Sequence, residues 1–184
     1  MPTEKGQILL AIARAAISAA LGKPVQADES AAWLQEKGAT FVTLTQHGEL
    51  RGCIGSLEAY RPLLQDIKAN ALAAAFRDPR FLPLGADELD NTQVEVSLLS
   101  PLSAITFNGE QDALAQLLPH LDGIVFEYAP YRSTFLPQVW EQLPEAAEFM
   151  AHLKHKAGLS SGFWADGIKL SRYTVSKWKE SDFS

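Results

Sequence analysis

The stretch LRGCIGS, residues 50–56, holds the only cysteine of the chain, Cys53, with Arg51 two positions before it and Gly55 two after. Cysteine attacks electrophiles or binds metals as the thiolate, and a neighbouring guanidinium favours that form. Side chains alternate along an extended segment, so Arg51 and Cys53 are expected on one face. Gly52 and Gly55 lack a Cβ, which lets a ligand or another backbone approach closely. They also permit the left-handed geometry in which amide N–H groups converge on an anion. Thiol, cation and bare backbone are the parts of an acyl-transfer or adduct-forming site, and they suit a phosphate or carboxylate equally. The competing account makes Cys53 a small buried hydrophobe and the glycines the makers of a bulge.

Other residues offer chemistry more weakly. His47 lies at a turn six residues before Cys53, and a turn tip stands far from strand middles, so it reads as a surface residue before a general base. Glu148, His152 and His155 have the i, i+4, i+7 spacing of metal ligands. Ala146, Phe149, Met150, Leu153 and Ala157 take the other face of the same helix, which makes the three polar groups a solvated face, and no metal is expected. Glu95 and Ser97 share a strand face. If that face lines a cleft, Glu95 serves as a base or orients Arg51; otherwise it is the solvent side of an antiparallel sheet. YRSTFLPQVW (131–140) sets Arg132, Thr134 and Gln138 among aromatics and a proline, and packing beside an exposed edge accounts for them as well. No phosphate loop, dinucleotide fingerprint or metal-spaced cysteine set occurs, and no cofactor is expected.

These residues need elements to hold them. Pro2 and Thr3 precede a helical pattern with Ile8, Ala11, Ile12, Ala15 and Ala19, stopped by Gly22 and Pro24. A second short helix is expected around Glu29 to Glu36. FVTLT (41–45) is rich in β-formers, QHGE carries a turn glycine, and LRGCIG returns as the second strand of a hairpin. Pro62 suits the first position of a helix to about Phe76, with Leu63, Leu64, Ile67, Ala71 and Ala74 as its stripe, and RDPRFLPL breaks it. TQVEVSLLSP (92–101) alternates, with Val94, Val96 and Leu98 on one side and Gln93, Glu95 and Ser97 on the other. SAITFN, GIVFEY and YRSTFLP read as strands around a short helix near Ala113 to Leu118. Glu145 to Ala157 is a helix ended by Gly158, and IKLSRYTVSKW reads as one closing strand. Short turns join several strands, and no strict βαβ rhythm appears. The expectation is an α+β fold with a mainly antiparallel sheet and flanking helices, formed as a single domain over residues 1–184 without a linker.

The whole chain narrows the functions. With 184 residues, 47% hydrophobic and 21% charged, it is long enough to bury a core without staples. The net charge of −6 and scattered Lys and Arg disfavour a nucleic-acid surface, while leaving room for a local anion pocket. A lone cysteine gives no sign of an oxidising compartment. ILLAIARAAISAALG is cut by Arg14, and Glu4 stands where a signal peptide is basic, so the cytoplasm is the expected location. No run of about 20 apolar residues occurs, and no membrane span is expected.

LRGCIGSLEAYRPL resembles the signature of the AMMECR-type domain family. NALAAAFRDPRFLPL (70–84), VEVSLLSPL (94–102), DGIVFEY (122–128), STFLPQVWEQLP (133–144) and HLKHKAGL (152–159) resemble the same family in the same order. The form TFLPQVWEQLP looks most like the bacterial branch called AmmeMemoRadiSam system protein A. The resemblance implies a larger and a smaller lobe with the LRGCIG strand lining a cleft between them. It implies a Memo-like protein and a radical SAM protein as partners, and it makes Cys53 a site residue. Two functions are then expected. In the first, a cysteine-dependent enzyme performs transfer or hydrolysis on a small anionic substrate. Cys53 attacks, Arg51 supports the thiolate or holds the anion, Glu95 carries the proton, and Gly52, Gly55, Ser56, Arg132 and Thr134 contact the substrate. In the second, the same groove binds a small molecule, peptide or partner without covalent chemistry.

Overall fold

The alanine-rich N-terminal segment forms α1 (Pro2–Ala20) in the computed structural model, which describes residues 2–183. Gly22, at φ 82°, ends it: the Gly22 N–H donates to the Ala19 carbonyl at 3.0 Å and the Lys23 N–H to the Ser18 carbonyl at 2.9 Å. Only a residue tolerant of the left-handed region closes a helix this way. The expected second helix shrinks to a single 3-10 turn, Ala32–Gln35. Strands β1 (Ala39–Gln46) and β2 (Glu49–Gly55) form the expected hairpin. Its two turn residues, His47 and Gly48, have φ of 52° and 81°, the geometry whose twist matches the flanking strands. Then follow α2 (Leu63–Phe76), a 3-10 segment Ala86–Asn91 and β3 (Gln93–Leu99).

The chain divides into two units, one taking in residues up to Leu99 and those from Ser176, the other Ser100–Val175. The first holds a four-stranded sheet in the order β2-β1-β3-β8, where β8 is Val175–Lys179. Both β1–β2 and β1–β3 are antiparallel. Alternation sorts β1 cleanly. Val42 and Leu44 are buried with Val94 and Val96 against Ile67, Ala71 and Ala74 of α2 and Leu9, Ile12 and Ile17 of α1. Each of the Val, Leu and Ile side chains, fully buried, contributes about 1.5–3 kcal/mol. Phe41, Thr43 and Thr45 point to the opposite face and are only half-buried.

The second unit has its own antiparallel sheet, β4 (Ser103–Ile105), β7 (Lys169–Tyr173), β5 (Gly123–Tyr128) and β6 (Tyr131–Phe135), in the order β4-β7-β5-β6. Ile124, Phe126 and Leu170 pack with Phe149, Met150 and Leu153 of α4 (Ala146–Lys156) and with Ala113 of α3 (Gly109–Gln116). The Trp140 ring stacks on Phe149 at 3.8 Å, and its N–H donates to the Asp122 carbonyl at 2.8 Å.

The α+β expectation holds. One element is corrected: IKLSRYTVSKW is two strands, parted at Thr174, with β7 in the second unit's sheet and β8 in the first's. Continuous alternation hides the break, because the pattern on each side of it is that of a strand.

Candidate functional site

Cys53 lies in the middle of β2, an edge strand, opposite Thr43 of β1. The two side chains meet, with Thr43 Oγ1 and Cys53 Sγ 3.2 Å apart. On its other flank Thr43 pairs with Glu95 of β3. A thiol, a hydroxyl and a carboxylate thus form one cross-strand row on the face turned away from α1 and α2. Adjacent strands lie about 4.8 Å apart, so Cys53 and Glu95 are about 10 Å apart at the backbone, with Thr43 between them. Glu95 is 17% exposed and lies 3.9 Å from the Lys179 ammonium of β8.

The outward backbone of Cys53 has a side-chain partner. Its N–H donates to Asp78 Oδ2 at 3.0 Å, and its carbonyl accepts from Arg80 Nη2 at 3.3 Å. Arg80 in turn grips Asp78 through Nε and Nη2, at 3.0 and 2.7 Å, and its own N–H donates to the same carboxylate at 3.1 Å. Asp78 and Arg80 therefore give the edge of β2 an acceptor and a donor where a further strand would have stood. The side chain of Asp78 is 2% exposed and that of Arg80 55%. The Arg80 hydrogen bonds hold the Asp78 carboxyl well below the usual carboxylate range, against the effect of its burial; the Cys53 and Arg80 amides add to the lowering. Asp78 raises Arg80 in return, and the Cys53 sulfur is close enough to add to that rise.

Arg51 takes a different path from the one its spacing predicts. The β1–β2 register shifts between Leu44 and Thr45, where Leu44 faces Gly52 and Thr45 faces Leu50, so Arg51 is the extra residue of a bulge. That irregularity breaks the alternation that puts Arg51 beside Cys53. Its guanidinium donates to Glu88 at 3.0 and 3.2 Å and to the Leu82 carbonyl at 2.8 Å, with the side chain 12% exposed. Arg51, helped by the Gly85 amide and Gln46, lowers the Glu88 carboxyl to about 2. The cation that meets the Cys53 peptide is Arg80, which the sequence shows only as one of several scattered arginines.

The glycines are corrected as well. Neither Gly52 nor Gly55 has positive φ, so no left-handed nest forms there. Gly52 faces α2, where a Cβ would overlap the Ala74 carbonyl oxygen; the backbone that comes close is a helix, not a ligand. Gly55 is covered by the ring of its cross-strand partner Phe41. Ser56 is buried: its hydroxyl donates to Asp66 Oδ1 at 2.6 Å and accepts from Asn70 at 3.1 Å. Thr40, through its N–H and hydroxyl, and Arg61 also donate to Asp66, making a network that pins the end of β2 to α2. Arg132 and Thr134 belong to the second unit, where Arg132 lies 3.6 Å from Glu127 and the Thr134 hydroxyl is 3.0 Å from the Tyr173 hydroxyl. Burial raises Tyr173. Glu148, His152 and His155 are exposed, as their helical spacing predicts. Sequence reasoning missed Thr43, Asp78 and Arg80. The available signal was DPR directly after α2, since an Asp at a helix exit with Arg two residues on readily closes a local turn. Among the described residues no helix is long and apolar enough to cross a membrane, and no three His, Cys, Asp or Glu gather as a metal site.

The sequence profile described as AMMECR1 matches residues 10–178. Protein MJ0810 of Methanocaldococcus jannaschii is 37% identical over 182 residues, covering 96% of this chain and 90% of that protein. A Thermotoga maritima protein is 35% identical over 162 residues, covering 86% and 88%. The crystal structure of the uncharacterized protein PH0010 from Pyrococcus horikoshii superimposes with a TM-score of 0.77 at 33% identity, covering 96% of this chain and 92% of that one.

Proposed function

The chain belongs to the AMMECR1 family, and from that premise and the site geometry we propose a cysteine-dependent enzyme of transfer or hydrolysis on a small substrate, with Cys53 as nucleophile. The observation that carries the reading is the thiol on Thr43 in a row with Glu95, on a strand whose edge is fixed by Asp78 and Arg80. Nucleophilic side chains act from rigid elements, oriented by a second group and relieved of a proton by a third. The cysteine attacks an acyl carbon, the sulfur–carbon bond forms, and the leaving group departs with its electron pair. The thiol proton passes by way of the Thr43 hydroxyl to Glu95, which then protonates the leaving group. Water or an acceptor molecule next attacks the thioester, releasing the acyl product and restoring the thiol. Arg51 acts by holding Glu88.

The finer placement in the AmmeMemoRadiSam system protein A branch is supported by TFLPQVWEQLP (134–144), and in that setting a Memo-like protein and a radical SAM protein supply or receive the substrate. One observation favours a second reading. The Cys53 amide is already bonded to Asp78, and that amide is the natural oxyanion donor of an acyl-transfer site. A binding surface without covalent chemistry has no need of it.

p-Nitrophenyl acetate separates the two. The enzyme reading predicts that the folded protein releases nitrophenolate and gains an acetyl group on Cys53 faster than the same thiol in the urea-unfolded chain, and that Thr43→Val slows this. A folded thiol that reacts no faster than the unfolded one overturns the reading and leaves the binding surface.

A further inference from the structure

We infer that Arg80 makes the Cys53 site selective for a substrate that carries a carboxylate; this rests on the reading of Cys53 as nucleophile. Of the two arginines that flank the Phe81 ring, Arg51 holds Glu88 and the Leu82 carbonyl, keeps a buried Nη1 with no hydrogen-bond partner among the described residues, and is largely covered. Arg80 is not. Its Nε and Nη2 hold Asp78, and Nη2 also reaches the Cys53 carbonyl, which places the guanidinium within one peptide unit of the nucleophile. Its Nη1 makes no hydrogen bond among the described residues, and 55% of the side chain is open to solvent. The buried Asp78 fixes the plane of the guanidinium, so little side-chain freedom is left for a ligand to freeze.

Charge balance sets the class of ligand. Asp78 neutralises Arg80, Glu88 neutralises Arg51, and Glu95 lies beside Lys179. With each cation already paired, a second negative charge on a ligand finds no counter-ion and is repelled by Asp78 and Glu88, so a singly charged group is favoured over a doubly charged phosphate. A singly charged carboxylate, one oxygen accepting from an Nη1 hydrogen, matches what is free. The ring of Phe81, with its centroid 5.5 Å from Arg80 and 5.8 Å from Arg51, offers an apolar wall for a short carbon chain. A substrate held this way presents an electrophilic carbon near its carboxylate to Cys53.

Iodoacetate and iodoacetamide test this on the whole protein, since they differ in that one charge. In both, the sulfur–carbon bond forms as the carbon–iodine bond breaks, iodide leaves with the electron pair, and the thiol proton goes to the buffer. Their rate ratio on the urea-unfolded chain gives the intrinsic preference. The folded protein should raise the iodoacetate-to-iodoacetamide ratio about tenfold above that value, equivalent to about 1.4 kcal/mol. Propionate should slow both reagents, and Arg80→Gln should return the ratio to the unfolded one. If Arg80→Gln fails to fold, propionate competition on the unaltered protein decides. An unchanged ratio with brisk iodoacetamide labelling refutes the carboxylate preference and leaves Cys53 as nucleophile. Protection by inorganic phosphate but not propionate also refutes it, in favour of a phosphate. A folded thiol inert to both reagents refutes the Cys53 reading itself.

Discussion

Gly52→Ala tests whether the strand carrying Cys53 is set by its contact with α2. A Cβ at Gly52 would stand 3.1 Å from the Ala74 carbonyl carbon and nearer still to its oxygen. The oxygen is the tighter contact, far inside van der Waals distance, so strand and helix must part by about 1 Å. The obstacle is backbone, which cannot swing aside as a flexible side chain does. Overpacking of this kind costs about 1–3 kcal/mol, and the rigid neighbour puts this case near the top of that range. With a urea slope of about 2 kcal/mol/M, the unfolding midpoint falls by about 1.5 M. Gly48→Ala is the control: its Cβ meets nothing within 4 Å, and the cost is only that of a left-handed backbone at φ 81°. That is about 1 kcal/mol. Urea melts followed by labelling of the single thiol report the first unit directly. The same displacement carries Cys53 away from Asp78 and Thr43, so native labelling should change in Gly52→Ala and hold in Gly48→Ala. A Gly52→Ala protein as stable as the parent, or no less stable than Gly48→Ala, would refute the argument.

Both Asp78 and Glu88 are held below their ordinary range, so each contributes stability at neutral pH. Each contribution is complete above the group's unfolded value, 3.8 for Asp78 and 4.5 for Glu88, and is lost as the pH falls towards the folded one. Urea midpoints measured down to about pH 2 should therefore drop, and Glu88→Gln should flatten part of the slope. Asp78→Asn leaves the Cys53 amide with a poorer acceptor and Arg80 without its counter-charge; a loss of about 1–3 kcal/mol and faster hydrogen exchange at the Cys53 amide are expected. Asp66→Asn turns acceptors towards the donors of Thr40, Ser56 and Arg61 into a donating amide in a fully buried position, and it should cost about 3 kcal/mol or more by thermal or urea melting.

Local chemistry was legible in the sequence; pairings across distance were not. Gly22 as a stop, the His47–Gly48 turn and the two faces of β3 follow from backbone preference and alternation within a few residues. The parity of β2 already set Gly52 on the face opposite Cys53, and β1 buries that face through Val42 and Leu44. What alternation could not supply was the bulge at Arg51, since an extra residue in one strand is visible only against its partner. Asp78 and Arg80 reach β2 from 25 and 27 residues away. Nothing local marks them beyond an Asp and an Arg around a proline. In the same way Glu95 comes into line with Cys53 only through the register that β1 imposes on both neighbours.

The break at Thr174 has a consequence for how the protein is made. The first unit needs β8, and it needs Glu180 just beyond, whose carboxylate accepts from the Val94 amide at 2.8 Å and pairs with Arg14. During synthesis its first 99 residues emerge long before these parts exist. The second unit, a single continuous stretch, is free to settle meanwhile. Until the last strand arrives, β3 is a bare sheet edge, open to pairing with other chains. Once Thr174 has cleared the ribosome the second unit can be complete while the first still has an unsealed sheet, and residues 175–183 act as the fastener that closes the unit containing Cys53.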